Sequence, residues 1–589
     1  MKVHLLEDNP HELMISTANK STLDLLKNCL DGKKVFKKNQ IVIPVKATAN
    51  LPSFKGIEPI DFETEEAKNT VNKIMLDVYN NFLVIANIKN GDIIFDYDYK
   101  GPYEGFMQHQ KVMYNVMTRS DFGAILGDPG TGKTLAFLAA IDERIKKGEV
   151  TRALIITLSG LKKNIEAEAA IQIPHRDCIV YRSKKHADQV INKRFSRENK
   201  NKDYHIHITN YEAMSASGEL IKDGYFDMII LDEAHRVGSP RSSQTREILK
   251  RFENAKYKYI ATGTLNANNV MSFYMPYRFM GADVVPYSNY YAYRSQHMRT
   301  VDPDRHIWVP KQGALSETAK VIGRSAVQYK KEDCMDLPDL VFIRLSTEMH
   351  GAQKYAYRDA KEDMVLKLDK LCEGCEHTET CTRDVCINDK AIIDTALVLL
   401  RKLHQIAAGF YIASTTTVDD DGNETVEQEI IEFDDNPKLK LLLETVENIP
   451  SSEKIIIWAS YTYSIEKIKS KLVSIYGESS VVTGYGTQDA FTQVEKFREH
   501  HARFLVANTK KMSTGLNIQF SSYQIFYDNT FSLIDREQAI GRQHRKGQDN
   551  KVTVYDLVTT NTVDEYILET LIGKQDLAVT LSQFAKVLQ

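Results

Sequence analysis

The chain has 589 residues, a formal net charge of −3, 42% hydrophobic residues and 26% charged residues. That balance excludes a disordered or fibrous chain and leaves room for several buried cores. No apolar run reaches the roughly 20 residues of a membrane helix, and with so little net charge any basic, nucleic-acid-facing surface must be local.

Residues 1–100 read as a small α+β N-terminal domain. VHLLED and LMISTA are expected as strands, Ser21-Thr22 as the cap of a short helix through Leu30, and VFKKNQIVIPV as strand, turn and strand. EEAKNTVNKIMLDVYNNF follows as a helix. The run Lys33-Lys34-Val35-Phe36-Lys37-Lys38 has the composition to grip a DNA backbone and stack on a base, or to form a solvated turn. The opening MKVHLLEDNPHEL lacks the apolar core of a signal peptide, so a reducing, cytoplasmic setting is expected: nucleoid or host cytoplasm in a bacterial or viral protein, the nucleus in a eukaryotic one.

Over residues 101–280 the pattern becomes short apolar strands alternating with amphipathic helices. AILGDPGTGK, ALIITLS, HIHITNY, MIILDEAH and YIATGT each place polar residues directly after an apolar run, as in a parallel α/β sheet with its working groups at the strand ends. Residues 281–430 are charged and tyrosine-rich; within them STTTVDDDGNETVEQE reads as a flexible loop. Residues 431–589 carry a second α/β series, KIIIWAS, SVVTGY, RFLVANT, YQIFYDNT and VTVYDLV. The expected fold class is α/β: two parallel-sheet lobes, the small N-terminal domain, and a cysteine-rich insertion.

Gly127-Asp128-Pro129-Gly130-Thr131-Gly132-Lys133-Thr134 matches the phosphate-loop pattern G-x-x-x-x-G-K-[ST]. Glycines let backbone N–H groups face phosphates, Lys133 reaches the β- and γ-phosphates, and the Thr134 hydroxyl binds Mg²⁺. Asp232-Glu233-Ala234-His235 follows the strand-like MIIL. There Asp232 is expected to hold Mg²⁺ and Glu233 to orient and deprotonate the attacking water. Gln538, Arg542 and Arg545 lie near the end of the second series. Phosphoryl transfer needs positive charge at the γ-phosphate, and two arginines three apart can share one helix face; the alternative is a solvated basic helix.

Four of the seven cysteines, Cys372, Cys375, Cys381 and Cys386, fall within fifteen residues of polar sequence beside His377. Four thiolates can close a tetrahedral Zn²⁺ shell, the preferred reading, or hold an iron–sulfur cluster. Cys29, Cys178 and Cys334 are scattered and expected as buried thiols.

Taken in order, these motifs resemble the Swi/Snf-type ATPases of helicase superfamily two, over about residues 103–575. The resemblance implies two RecA-like lobes with ATP between them, and a motor that steps along duplex DNA. It assigns Gln110 to adenine, Ser159, Thr209, Tyr211, Ser460, Thr509 and Thr514 to DNA, and Thr262, Gly263 and Thr264 to coupling hydrolysis with lobe movement. Leu337-Pro338, Gln353 and Tyr355, Leu400 to His404, Gly515-Leu516-Asn517 and Gly547-Gln548 also fall where the family has its motifs. Leu265 stands where the family has proline, and Lys511-Met512-Ser513 replaces a glycine-rich run; both changes bear on translocation more than on hydrolysis.

The implied activity is an ATP-dependent double-stranded DNA translocase, acting as a monomer on duplex or branched DNA beside replication or recombination proteins. Its work would be fork regression, branch migration or protein displacement. The alternatives are a strand-separating helicase on DNA or RNA, or the motor subunit of a nuclease or defence complex.

Overall fold

A computed structural model describes residues 2–6, 9–16, 33–34, 40–44, 61–62, 64–98, 105–181, 186–187, 204–216, 224–263, 270–281, 284–285, 287, 290–302, 307–373, 389–418, 424–486, 489–512 and 517–573. The chain forms two compact units, Met1–Val301 with Ile307–Met335, and Asp302–His306 with Asp336–Gln589.

The first unit is organised on a seven-stranded sheet. From edge to edge its strands are Ala326–Tyr329, Phe122–Gly127, Tyr257–Thr262, Met228–Asp232, Ala153–Thr157, Ile206–Asn210 and Cys178–Val180, every neighbouring pair parallel. A parallel sheet covered on both faces needs apolar residues at every position of its strands. Here Ile125, Ala153, Ile155, Ile206, Ile208, Met228 and Ile230 enter one core, while Ala124, Leu154, Ile156, Ile229, Leu231 and Ile260 enter the other. That is the period-two alternation of a pleated strand, and it explains why ALIIT and MIIL read as unbroken apolar runs.

The second unit repeats the design with six parallel strands in the order Leu340–Thr347, Val552–Thr559, Tyr523–Phe526, Ile455–Ala459, Phe504–Asn508 and Val481–Gly484. Ile455, Ile457, Phe504, Val506 and Ile525 pack on one face; Ile456, Trp458, Leu505, Ala507 and Phe526 pack on the other. Both α/β series expected from the sequence are thus parallel-sheet lobes. The intervening stretch supplies an edge strand to each: Ala326–Tyr329 pairs beside the phosphate-loop strand, and Leu340–Thr347 flanks Val552–Thr559.

The acidic, threonine-rich segment corrects an expectation. Instead of a loop, Phe410–Val418 and Glu424–Glu432 form a two-stranded antiparallel ribbon with Phe410 opposite Glu432 and Val418 opposite Glu424. The β-branched run Thr415-Thr416-Thr417-Val418 and Thr425-Val426 opposite it favour extended backbone.

At the N-terminus, Lys2–Leu6 pairs antiparallel with Asn9–Ser16, Asn9–Ser16 with Gln40–Pro44, and Gln40–Pro44 with Lys33–Lys34; Asp61–Phe62 adds parallel to the first strand. The helix Glu65–Lys89 follows, capped by Thr64, whose hydroxyl accepts from the Ala67 N–H at 3.1 Å. The short helix expected after Ser21 lies outside the described residues, as do Cys29, Lys37 and Lys38. Among the described residues no helix is long and apolar enough to cross a membrane.

Candidate active site

The strand Phe122–Gly127 ends in the phosphate loop, and the helix Lys133–Lys146 starts from it. Gly130 and Gly132 have φ of +92° and +79°, a region where a Cβ is strained. Gly132 also lies directly against the Gln110 amide, so a side chain there would collide with it. Lys133 Nζ donates to the Gly127 carbonyl at 2.6 Å and the Asp128 carbonyl at 3.2 Å, while Thr131 Oγ1 donates to Asp128 O at 2.9 Å. Thr134 sits half-buried in the first turn of the helix.

Gln110 and His109 brace this loop from beneath. Gln110 Oε1 accepts from the Met107 N–H at 3.0 Å, capping its own helix, and Gln110 Nε2 donates to Thr131 O at 3.3 Å. A His109 ring nitrogen lies 2.9 Å from the same carbonyl. In this structure Gln110 is thus a support of the phosphate loop.

Two strands away in the sheet, Met228–Asp232 delivers the paired carboxylates. Asp232 Oδ2 accepts from Thr157 Oγ1 at 2.8 Å, and its carbonyl accepts from Tyr211 OH at 2.7 Å. Burial, then the neighbouring Glu233, hold the Asp232 carboxyl above the usual carboxylate range, with Lys133 and Thr157 pulling the other way. Glu233 adopts φ +55°, the left-handed region, at a cost on the order of 1 kcal/mol. That strain turns the chain sharply off the strand end. Two buried acids opposite Lys133 are a donor set that fits a divalent cation, whose charge would offset the repulsion between them.

The third element closes on the same loop. His235 Nδ1 stands 3.2 Å from Thr262 Oγ1 and 3.3 Å from Glu233 Oε2. A Cβ on Gly263 would lie 2.8 Å from Pro129 Cδ, so this glycine is required by its close approach to the phosphate loop. Gly263 thereby lies against the loop, and Thr262 is linked through His235 to Glu233. Thr264 and Leu265 lie outside the described residues.

In the second unit Gln538 lies buried on the helix Leu533–Ile540. The arginines depart from the expected shared helix face: the helix stops at Ile540, and Arg542 and Arg545 stand on the turns that follow. Gly541 caps the helix and the chain turns away. The Ile518 N–H donates to Arg542 O at 3.2 Å, and Arg545 donates to the Asn517 side chain, so this segment packs on Asn517 and Ile518. Arg536, which sequence reasoning passed over, anchors the helix: it makes bonds of 2.6 and 2.8 Å to the two oxygens of the buried Asp556 carboxylate.

A second buried pair, Lys438 Nζ to Asp564 Oδ2 at 2.5 Å, joins groups 126 residues apart; neither side chain is more than 4% exposed. Burial raises the Asp564 carboxyl, but Lys438 and His404 outweigh it and leave the group below its ordinary value.

The residues assigned to DNA divide by accessibility. Ser159 is exposed on the turn Ser159–Leu161, and Ser460 is half-buried, its hydroxyl on Asn529 O at 3.3 Å. Thr209, Tyr211 and Thr509 are no more than 1% exposed, and the Tyr211 hydroxyl is spent on the Asp232 carbonyl. Thr514 lies outside the described residues. Met512, part of the departing run, is a core residue packed against Gly484. Of the cysteines, Cys178 and Cys334 are half-buried, and burial pushes the Cys178 thiol up to about 12. The side chains of Cys372, Cys375, Cys381 and Cys386 lie outside the described residues; the cluster begins in the last turn of the helix Gly351–Glu373 and ends just before the helix Asp389–Ala407.

Comparison with known families bears on this geometry directly. The SNF2-related domain matches residues 106–404, just over half of the chain, and the helicase conserved C-terminal domain matches residues 437–547. The chain belongs to the SNF2-related family. An SNF2-related domain followed by a helicase C-terminal domain is the make-up of a helicase-type ATP hydrolase. The DNA repair and recombination protein RAD54B of Gallus gallus is 23% identical over 82% of this chain and 54% of its own length. The ATP-dependent helicase fft1 of Schizosaccharomyces pombe is 22% identical, over 82% and 54%. This SNF2-related chain spans about half the length of the curated relatives it matches. A solved Sulfolobus solfataricus SWI2/SNF2 ATPase core in complex with double-stranded DNA is 20% identical, covering 84% of this chain and 97% of that one, with a TM-score of 0.37.

Proposed function

We propose that this chain is an ATP-dependent translocase on double-stranded DNA that remodels DNA or DNA–protein complexes, by fork regression, branch migration or protein displacement. The observation that carries the reading is the convergence of Lys133, Asp232, Glu233 and Thr262 around one phosphate loop in a chain of the SNF2-related family. ATP is the substrate. The loop's backbone and Lys133 take its phosphates; Thr134 and Asp232 would hold Mg²⁺, which supplies charge neutralisation when bound. Glu233, poised on its strained turn, orients and deprotonates the attacking water. Gln538, Arg542 and Arg545 supply positive charge and polar contacts to the γ-phosphate as its oxygens gain charge. RAD54B bears repair and recombination in its name, which supports placing this chain in the same class of DNA work.

DNA binding of this kind rests on phosphate contacts, which carry little sequence information and suit stepping along any duplex. Ser159 and Ser460 are the accessible hydroxyls for it. The protein works as a monomer in this reading. The four clustered cysteines hold a structural Zn²⁺, or an iron–sulfur cluster; metal analysis of purified protein beside Cys375→Ser distinguishes these by zinc content against visible absorption.

Triplex displacement tests the function. A duplex carrying a third strand should lose it in an ATP-dependent reaction while the duplex strands stay paired. Separation of the duplex strands would assign a strand-separating helicase; failure of both would remove the motor reading.

A further inference from the structure

The phosphate loop is tied to a segment that none of the sequence motifs includes. Asp128, second residue of the loop, makes two bonds to the edge strand's end and the turn after it: its N–H donates to Tyr329 O at 3.2 Å, and its Oδ2 accepts from the Lys331 N–H at 2.9 Å. His109, which contacts the loop through Thr131 O, also sets its ring against that of Tyr329, with centroids 5.6 Å apart. Lys331–Cys334 is a short helical turn, held by a bond from Cys334 Sγ to Lys330 O at 2.8 Å. Two residues later, at Asp336, the chain passes into the second unit. Beside this contact lies a cavity of about 630 Å³, lined by Leu126, Asp128, Gly263, Ile322 and Tyr329 among others, so tight packing does not surround the tether.

The chemistry of the loop gives this tether something to report. Lys133 Nζ donates to the carbonyls of Gly127 and Asp128. A nucleotide phosphate competes with those carbonyls for the ammonium, and the Asp128 peptide is the group whose bonding then changes. Its side chain is the one that holds Lys331.

We propose that Asp128 is a positioning residue that couples nucleotide occupancy of the phosphate loop to the segment Tyr329–Cys334, and through it to the start of the second unit. The proposal rests on the reading of the loop as a nucleotide site. The bond can be removed without touching the loop. Lys331 is the first residue of its helical turn and Lys330 is extended, at φ −87° and ψ 149°, so proline is accommodated at 331 while its N–H is deleted.

The test compares full-length wild type, Lys331→Pro and Lys331→Ala for binding of a fluorescent ATP analogue and for amide hydrogen exchange over residues 329–336 with and without that analogue. Lys331→Ala keeps the N–H and should match wild type in both. Lys331→Pro should bind the analogue roughly three- to tenfold more weakly, the worth of one hydrogen bond, and should lose the nucleotide-dependent change in exchange. Asp128→Asn, which keeps an acceptor, should restore wild-type exchange behaviour where Asp128→Ala does not; this pair decides the matter if Lys331→Pro fails to fold. Retention of the nucleotide-dependent change in both Lys331→Pro and Asp128→Ala overturns the proposal. Wild type that binds no analogue overturns the nucleotide-site reading instead, and the two failures are told apart by that one arm.

Discussion

In the first unit the phosphate loop and the paired carboxylates are held by backbone: left-handed glycines at 130 and 132, a left-handed glutamate at 233, and strand ends that carry Lys133 and Asp232. In the second unit the holding is done by buried charge: Arg536 on Asp556 in the helix that precedes the arginine segment, and Lys438 on Asp564. The difference teaches where tolerance to change should lie. A backbone device fails when a glycine gains a Cβ or a strand end shifts. A charge device fails when one partner is removed and the other is left buried without it.

Substitutions that break this comparison can be ranked. Arg545→Ala should cost the most in rate, roughly 10³–10⁵ in kcat, if it supplies transition-state charge; a loss of KM alone would reduce it to a binding group. Glu233→Gln should lower kcat by roughly 10²–10⁴ with ATP binding kept, read by steady-state kinetics beside analogue binding. Lys438→Ala should destabilise the second unit by about 3–5 kcal/mol in denaturant unfolding, whereas the paired Lys438→Met/Asp564→Leu change should recover much of that loss. If the single and paired changes cost the same, the pair is not what holds the lobe.

Asp232→Asn gives the smallest shift and sharpens the first-unit side. The folded-state pKa of Asp232 is raised, so its favourable contribution is full below the ordinary carboxylate value of about 3.9 and is lost as pH rises through the raised one. At neutral pH the carboxylate therefore costs stability without a cation. Asp232→Asn should raise stability by roughly 1–3 kcal/mol at pH 7.5 and raise it less at pH 4. Equal effects at both pH values would show that the carboxylate is not strained by its surroundings.

Much of the first-unit site was legible because its chemistry is local in sequence. Gly130, Gly132 and Lys133 span four residues, and Asp232-Glu233 sits directly behind four apolar ones. What stayed hidden was pairing across the chain. Thr157 meets Asp232 across 75 positions, Lys331 meets Asp128 across 203, and nothing in either local pattern announces the partner. The edge strands Ala326–Tyr329 and Leu340–Thr347 were missed because they lie in a charged, tyrosine-rich stretch, and the latter alternates exposed with half-buried residues. The acidic ribbon was read as a loop on composition, though its threonines and valines favour strand. Thr209 and Tyr211 were given to DNA by family position, and their burial shows that position in a motif does not fix accessibility.

The measurement that bears most directly on the central claim is ATP hydrolysis by the purified chain with no nucleic acid, single-stranded DNA, duplex DNA, a four-way junction and RNA, each beside Lys133→Ala. A duplex-DNA translocase should be stimulated by duplex or junction DNA and not by single strands, with Lys133→Ala inactive throughout. Stimulation by single strands or RNA alone, or activity equal to that of Lys133→Ala, would contradict it.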